Sequence, residues 1–228
     1  MKILAIDSSC IGASAALMTE ECKVKELYTD GSKKHSETLL PIIKKMLDSC
    51  GIKPTDIDLF ACTVGPGSFT GTRITVSVVK GLALSNNTPC VGISTLETLA
   101  YNAMDFDGII CPVINARRDT YYNAFFTAEQ GKIKRICEDR QIFIDDLIDE
   151  LQKINQPVIF VGDGAKACYN HVLENKLQIS AQIVHENLLN IKAATIAMIA
   201  SKTTNFTTPE NLNTLYMHAT EAERNIKT

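Results

Sequence analysis

The sequence predicts an α/β fold in which two halves repeat one order of elements, β-β-β-α-β-α-β, as mixed sheets covered by helices. Three observations predict it. Short β-rich apolar runs alternate with longer helical stretches, the same order restarts at Gly108, and two strand-to-helix junctions, Gly65–Gly71 and Gly162–Gly164, are rich in glycine. With 45% hydrophobic and 21% charged residues the composition is that of an ordinary globular protein. A chain of 228 residues is long enough to bury about 70% of its unfolded surface.

The elements follow in order. Lys2–Asp7, Ala13–Met18 and Val24–Tyr28 are short β-rich runs separated by turn residues, and a helix is expected over His35–Cys50. Asp58–Val64 reads as a buried strand. Thr70–Ser85 is rich in β-branched residues, but the glycine loop before it and Asn86-Asn87-Thr88-Pro89 after it bracket a helix. Cys90–Ile93 closes the first half. The second half begins with strands over Ile109–Asn115, Tyr121–Thr127 and Lys132–Cys137, the last after a turn at Gln130-Gly131. A helix over Ile144–Ile154, a strand over Val158–Val161, a helix over Ala165–Asn175 and a strand over Ile179–Val184 complete it. In each half the first strands form an antiparallel meander, and the later strand–helix alternation implies parallel neighbours joined by crossovers. The halves divide as 1–104 and 105–228, the second including a C-terminal helix and tail, of which the tail is expected to pack back on the first half. A duplicated mixed sheet covered by helices is the architecture of the actin-like ATPase (ASKHA) superfamily, whose members bind their ligand in the cleft between halves.

Charge and composition exclude several functions. Lys+Arg is 23 and Asp+Glu 26, a net charge of −3, and the basic stretches Lys33-Lys34-His35, Arg117-Arg118 and Lys132-Ile133-Lys134-Arg135 are small. Autonomous nucleic-acid binding draws on a basic stripe, so any RNA is expected to be met indirectly, through another protein. The apolar runs are far shorter than the ~18 residues of a membrane span, and Asp7 interrupts the first of them, unlike a signal peptide. A cytoplasmic protein is expected. The eight cysteines, at 10, 22, 50, 62, 90, 111, 137 and 168, include no C-x-x-C pair. Several lie in apolar runs, so they read as reduced core thiols. His35, His171, His185 and His218 have no metal-ligand spacing.

Four motifs could carry chemistry. Asp7-Ser8-Ser9 ends an apolar strand with a carboxylate and two hydroxyls, either facing a nucleotide or bonding its own turn. Gly65-Pro66-Gly67-Ser68-Phe69-Thr70-Gly71-Thr72-Arg73 leads a strand into a helix, where glycines permit close backbone approach and the helix start offers N–H groups to an anion. It lacks the lysine of a Walker loop, and a plain tight connection explains it equally well. The same two readings hold for Gly162-Asp163-Gly164. In the helix from His35, the residues Leu39, Leu40, Ile42, Ile43, Met46 and Leu47 span roughly 160° of arc, where one sheet needs about 100°. The excess suggests a second protein on one flank, or a wedge between two elements of the same chain. Pro41 belongs in the first turn or kinks this helix. Asn115-Ala116-Arg117-Arg118-Asp119 opens the second half with paired arginines suited to an anion or to a solvated turn.

In order along the chain, Asp7-Ser8-Ser9, His35-Ser36-Glu37-x-x-Leu40-Pro41, Gly65-Pro66-Gly67-Ser68-Phe69-Thr70-Gly71-x-Arg73, Ala116-Arg117-Arg118 and Leu215-Tyr216 resemble the TsaB (YeaZ) family. The glycine string is the specific part, and the resemblance covers nearly the whole chain. It implies the duplicated actin-like fold and a supporting role, without chemistry of its own, in forming threonylcarbamoyladenosine on tRNA. The implied partner is TsaD, the catalytic paralogue, which binds metal through a His-x-x-x-His helix. Here Thr95 and Leu99 stand at the matching positions and cannot hold an ion.

The resemblance also implies a TsaE-type ATPase as a further partner, self-association when TsaD is absent, and ATP or ADP at the complex interface rather than held tightly by this chain. Asn115, Asp119 and His218 depart from the family pattern, which weakens anion binding by the hairpin or tail. No catalytic or metal residue is expected. The partner face is expected to comprise His35, Leu39, Leu40, Ile43, Leu47, Thr70, Arg73, Ile74 and Ser77. Asp7, Ser8, Gly65, Gly67, Gly162 and Gly164 are the candidate nucleotide-cleft residues. The competing reading is an actin-like ATPase or kinase that uses Asp7 and the glycine loops.

Overall fold

The computed structural model describes residues 1–20, 23–31 and 34–217. Cys22, Lys33 and His218 lie outside these residues. The first half runs β1 (Ile3–Asp7), β2 (Ala13–Met18), β3 (Val24–Thr29), α1 (His35–Cys50), β4 (Leu59–Gly65), α2 (Phe69–Ala83), β5 (Cys90–Ser94) and α3 (Thr95–Ala100). The second runs β6 (Ile109–Asn115), β7 (Thr120–Asn123), β8 (Phe126–Glu129), β9 (Lys132–Arg135), β10 (Arg140–Phe143), α4 (Ile144–Ile154), β11 (Val158–Val161), α5 (Ala165–Glu174), β12 (Ala181–Ile183) and α6 (Ala193–Lys202).

The duplication is visible in the sheets. The first orders its strands β3-β2-β1-β4-β5 and the second β10-β7-β6-β11-β12, so each strand has a counterpart in the same place. In both, the meander pairs are antiparallel and the pairs reached through crossover helices are parallel. One expectation changes. The third strand of the second half is Arg140–Phe143, which pairs with β7, and not Lys132–Cys137. The chain expected as one strand over Tyr121–Thr127 breaks at Ala124-Phe125, and its second part pairs with β9 as an inserted hairpin that touches β6 at Ile110.

Alternation along β1 and β2 sorts side chains onto two buried faces. Leu4, Ile6, Ala13, Ala15 and Leu17 meet α1 and α2. Ile3, Ala5, Ala16 and Met18 face a central layer built from α3 and α6, which also receives Ile110, Ile114 and Val161 of the second sheet. The outer face of the second sheet is covered by α4 and α5 through Leu147, Ile148, Leu151, Cys168 and Val172. The central layer crosses over: α6, late in the chain, lies on β1 and β2, whereas α3, early in the chain, lies on β6. A polar clasp adds to it, because Ser94 Oγ donates to Asp139 Oδ2 at 2.6 Å while Arg135 pairs with Asp139 and with Glu97.

Local signals explain the helix ends. Ser68 Oγ accepts the Gly71 N–H at 3.2 Å at the start of α2, and Ser94 Oγ accepts the Glu97 N–H at the start of α3. Gly51 ends α1 with φ 64°, its N–H turned to the last-turn carbonyls. Pro41 falls at the seventh residue of α1, beyond the first turn, where it removes the N–H that would bond the Glu37 carbonyl. The helix continues through it because Leu39, Ile43, Met46 and Leu47 are held in the core, at about 1.5–3 kcal/mol for each side chain buried. No helix among the described residues is long and apolar enough to cross a membrane. The cysteines described are free, and burial pushes the Cys90 thiol up to about 11 and that of Cys168 up to about 12, so both stay protonated at neutral pH.

Candidate functional site

Two regions gather the candidate residues, the outer face of α1 and α2 and the cleft end of the first sheet. On α2 the buried positions are Gly71, Thr72, Thr75, Val76, Val79 and Ala83. The opposite stripe, Thr70, Arg73, Ser77 and Gly81, is exposed at helical spacing, with Ile74 half-buried beside it. On α1 the expected face divides. Leu40 is 52% exposed, but Leu39, Ile43 and Leu47 are buried against the chain's own sheet, so these three are not available to a partner. The wide apolar arc is therefore mostly an internal wedge: α1 rests on β2 and β3 and touches α2 at its side. His35 is half-buried at the start of the helix.

Phe69, which the sequence does not single out as a face residue, lies beside this exposed stripe. It is 48% exposed directly after the N-cap Ser68 and carries the Arg73 guanidinium 3.8 Å above its ring. Its position off the buried stripe of α2 was the available signal.

At the end of β1, Asp7 is buried. Its Oδ1 accepts the Ser9 N–H at 3.0 Å, the Ser9 hydroxyl at 2.6 Å and the Thr63 hydroxyl. Ser8 Oγ donates to the Gly71 carbonyl and shares a hydrogen bond with Thr75 Oγ1. The glycine loop lies on this turn: Ser68 N donates to Ser9 O at 2.7 Å. A Cβ on Gly67 would stand 2.5 Å from Ser9 O, and one on Gly71 1.9 Å from Ser8 O. Gly65, at φ +113°, faces Leu215 O, Gly162 faces Val113 O, and Gly164 faces the Tyr121 ring. The open side of each glycine is thus taken by this chain's own atoms. Oδ1 of Asp7 thus receives three hydrogen bonds from this chain, and Asp163, the carboxylate between Gly162 and Gly164, is held above its ordinary value by burial while its Oδ1 accepts the Asn115 N–H at 2.8 Å.

Thr95 and Leu99 are both buried; Thr95 Oγ1 donates to Ser9 Oγ at 3.4 Å, and Leu99 belongs to the central core. Among the described residues no cluster of three or more His, Cys, Asp or Glu side chains could hold a metal ion. In the second-half hairpin Arg117, Arg118 and Asp119 all take left-handed backbone, with φ 71°, 52° and 59°. Asp119 thus holds a backbone conformation that only glycine adopts without steric cost.

Burial raises the Asp7 carboxyl above its ordinary value, against the opposing pull of hydrogen bonds from Ser9 and Thr63 and of the His35 charge. The folded state then keeps a proton that the unfolded state has lost, so stability falls as pH rises through the folded value. Asp7→Asn retains the accepting oxygen without the charge. It is expected to melt above the wild type at pH 7, with the gap closing below about pH 4 in calorimetric scans. A lower melting temperature at pH 7 would mean that the hydrogen bonds to the charge outweigh its burial.

Two sheets of one topology closed over a shared helical layer define a duplicated actin-like protein. A family model described as "TsaD: tRNA N6-adenosine threonylcarbamoyltransferase" matches residues 29–227. Within that wider family, the chain belongs to the TsaB (YeaZ) family. It is similar to the tRNA threonylcarbamoyladenosine biosynthesis protein TsaB of Bacillus subtilis, 36% identical over 162 residues that cover 71% of each chain. Its similarity to TsaB of Escherichia coli is 32% over 179 residues, 73% of each chain. A solved Pseudomonas aeruginosa structure, described as an uncharacterized protein with similarity to peptidase YEAZ, superposes with a TM-score of 0.80 at 24% identity. It covers 95% of this chain and 99% of its own, and shows the shared fold.

Proposed function

We propose that this chain is a non-catalytic partner in the formation of threonylcarbamoyladenosine in tRNA, binding a TsaD-type catalytic paralogue through the outer face of α1 and α2 and supporting its reaction. The observation that carries this reading is the pair Thr95 and Leu99. Both are buried in the chain's own core, at the positions where the resemblance implies metal-binding imidazoles in the catalytic paralogue, and neither can take the place of an imidazole ligand. The printed names of the curated relatives, biosynthesis proteins for the same modified nucleoside, support the pathway. The exposed stripe Thr70, Arg73 and Ser77 with Leu40 supports the docking face.

The same reading includes a TsaE-type ATPase as a further partner, ATP or ADP lodged at the complex interface, and self-association through the same face when the paralogue is absent. The net charge of −3 supports contact with tRNA through the paralogue rather than directly, and the cytoplasm is the proposed compartment. The ATPase or kinase alternative is disfavoured by the filled glycine positions and the fully engaged Asp7 Oδ1.

Reconstitution tests the function. With tRNA, ATP and the threonylcarbamoyl adenylate donor supplied to every arm, purified chain alone is expected to leave tRNA unmodified, while the catalytic paralogue with its ATPase is expected to modify tRNA only when this chain is added. Modification by this chain alone, or equal modification without it, would overturn the proposal.

A further inference from the structure

The last described stretch of chain turns back over the first half and ends on the proposed docking face. Its base is anchored. Thr207 and Cys90 exchange both backbone hydrogen bonds at 2.8 Å along the outer edge of β5, Lys80 Nζ reaches the Glu210 carbonyl, and Leu212 is buried in the core beneath α2. Its tip lies on the surface. Leu215 N donates to Val64 O at 2.7 Å, and the Tyr216 hydroxyl accepts from Arg73 Nε at 2.7 Å. The Tyr216 ring, 45% exposed, lies 5.7 Å from Phe69 and 5.4 Å from the Arg73 guanidinium. Asn213 and Thr214, which join base to tip, are not buried.

We propose that Leu215–Tyr216 is a displaceable clasp. Closed in the free chain, it engages Arg73 and Phe69, and partner docking on α2 opens it. The proposal rests on the docking-face reading above. Arg73 belongs to the outward stripe of α2, and a helix packed on that stripe sits about 8–10 Å from the α2 axis. The Tyr216 ring stands in that space. Solvent-exposed cation–π and hydrogen-bond contacts such as those between Tyr216 and Arg73 are individually weak. Residues 207–212, tied to β5 and the core, stay in place. Because binding must then draw on the open fraction, the clasp raises the apparent dissociation constant.

The test compares full-length wild type with Tyr216→Ala, each titrated calorimetrically with the catalytic paralogue, and follows amide hydrogen exchange in the wild-type complex. Tyr216→Ala is expected to bind about 3–10-fold tighter. On complex formation the Leu215 amide is expected to exchange faster while amides over 69–77 slow. Equal or weaker binding by Tyr216→Ala, or slowing of Leu215 together with 69–77, would overturn the clasp and make the tip part of the interface. If the wild type binds without slowing 69–77, or does not bind at all, the docking-face reading fails and the clasp with it.

Discussion

Gly71→Ala is expected to lower stability by about 3 kcal/mol, a melting temperature roughly 6–12 °C lower for a domain of this size. The added methyl would stand 1.9 Å from the Ser8 carbonyl oxygen and 3.0 Å from its carbon, both backbone atoms with no rotamer to yield. Relief requires lifting the first turn of α2 from the β1–β2 turn. That breaks the Ser8 hydroxyl's bond to Gly71 O and weakens its contact with Thr75, both buried, and the loss of buried hydrogen bonds adds to the cost. Gly81 in the same helix is the control. It is exposed, and a Cβ there meets nothing within 4 Å, so Gly81→Ala is expected to gain about 0.5–1 kcal/mol from helix propensity. Thermal melts of the two variants side by side separate the effects. Equal stability would show that the close approach at Ser8 does not constrain the fold.

That contrast marks where sequence reasoning reaches and where it stops. Periodicity and bracketing turns found α1, β6, α4 and β11 with their observed ends, because each is a strongly patterned run between breakers. The repeated order of halves was legible for the same reason. The third strand of the second half was not, since Arg140-Gln141-Ile142-Phe143 has only one buried residue and its partner, β7, is distant in sequence. The inserted β8–β9 hairpin supplied a more regular pattern and was read in its place. Width of an apolar arc says how much of a helix is covered, and cannot say by what. Leu39, Ile43 and Leu47 therefore read as partner residues in the sequence, whereas the first sheet and α2 cover them. Glycines in the loop announced a close approach; that the approaching group is the backbone of Ser8 and Ser9 depends on tertiary contacts across more than fifty residues of chain.

The second large effect is on association. Leu40→Asp combined with Ser77→Arg alters two exposed side chains and no core contact, so the melting temperature is expected to stay close to that of the wild type. Leu39→Ala, one residue away but buried, is expected to cost about 2–5 kcal/mol of stability. The most direct test of the docking face is therefore the affinity of the folded double variant for the catalytic paralogue, measured by titration calorimetry against wild type. The face described here predicts binding weaker by on the order of 30-fold, the size of a single interface hot spot. Unchanged affinity in a variant that melts like the wild type would contradict it.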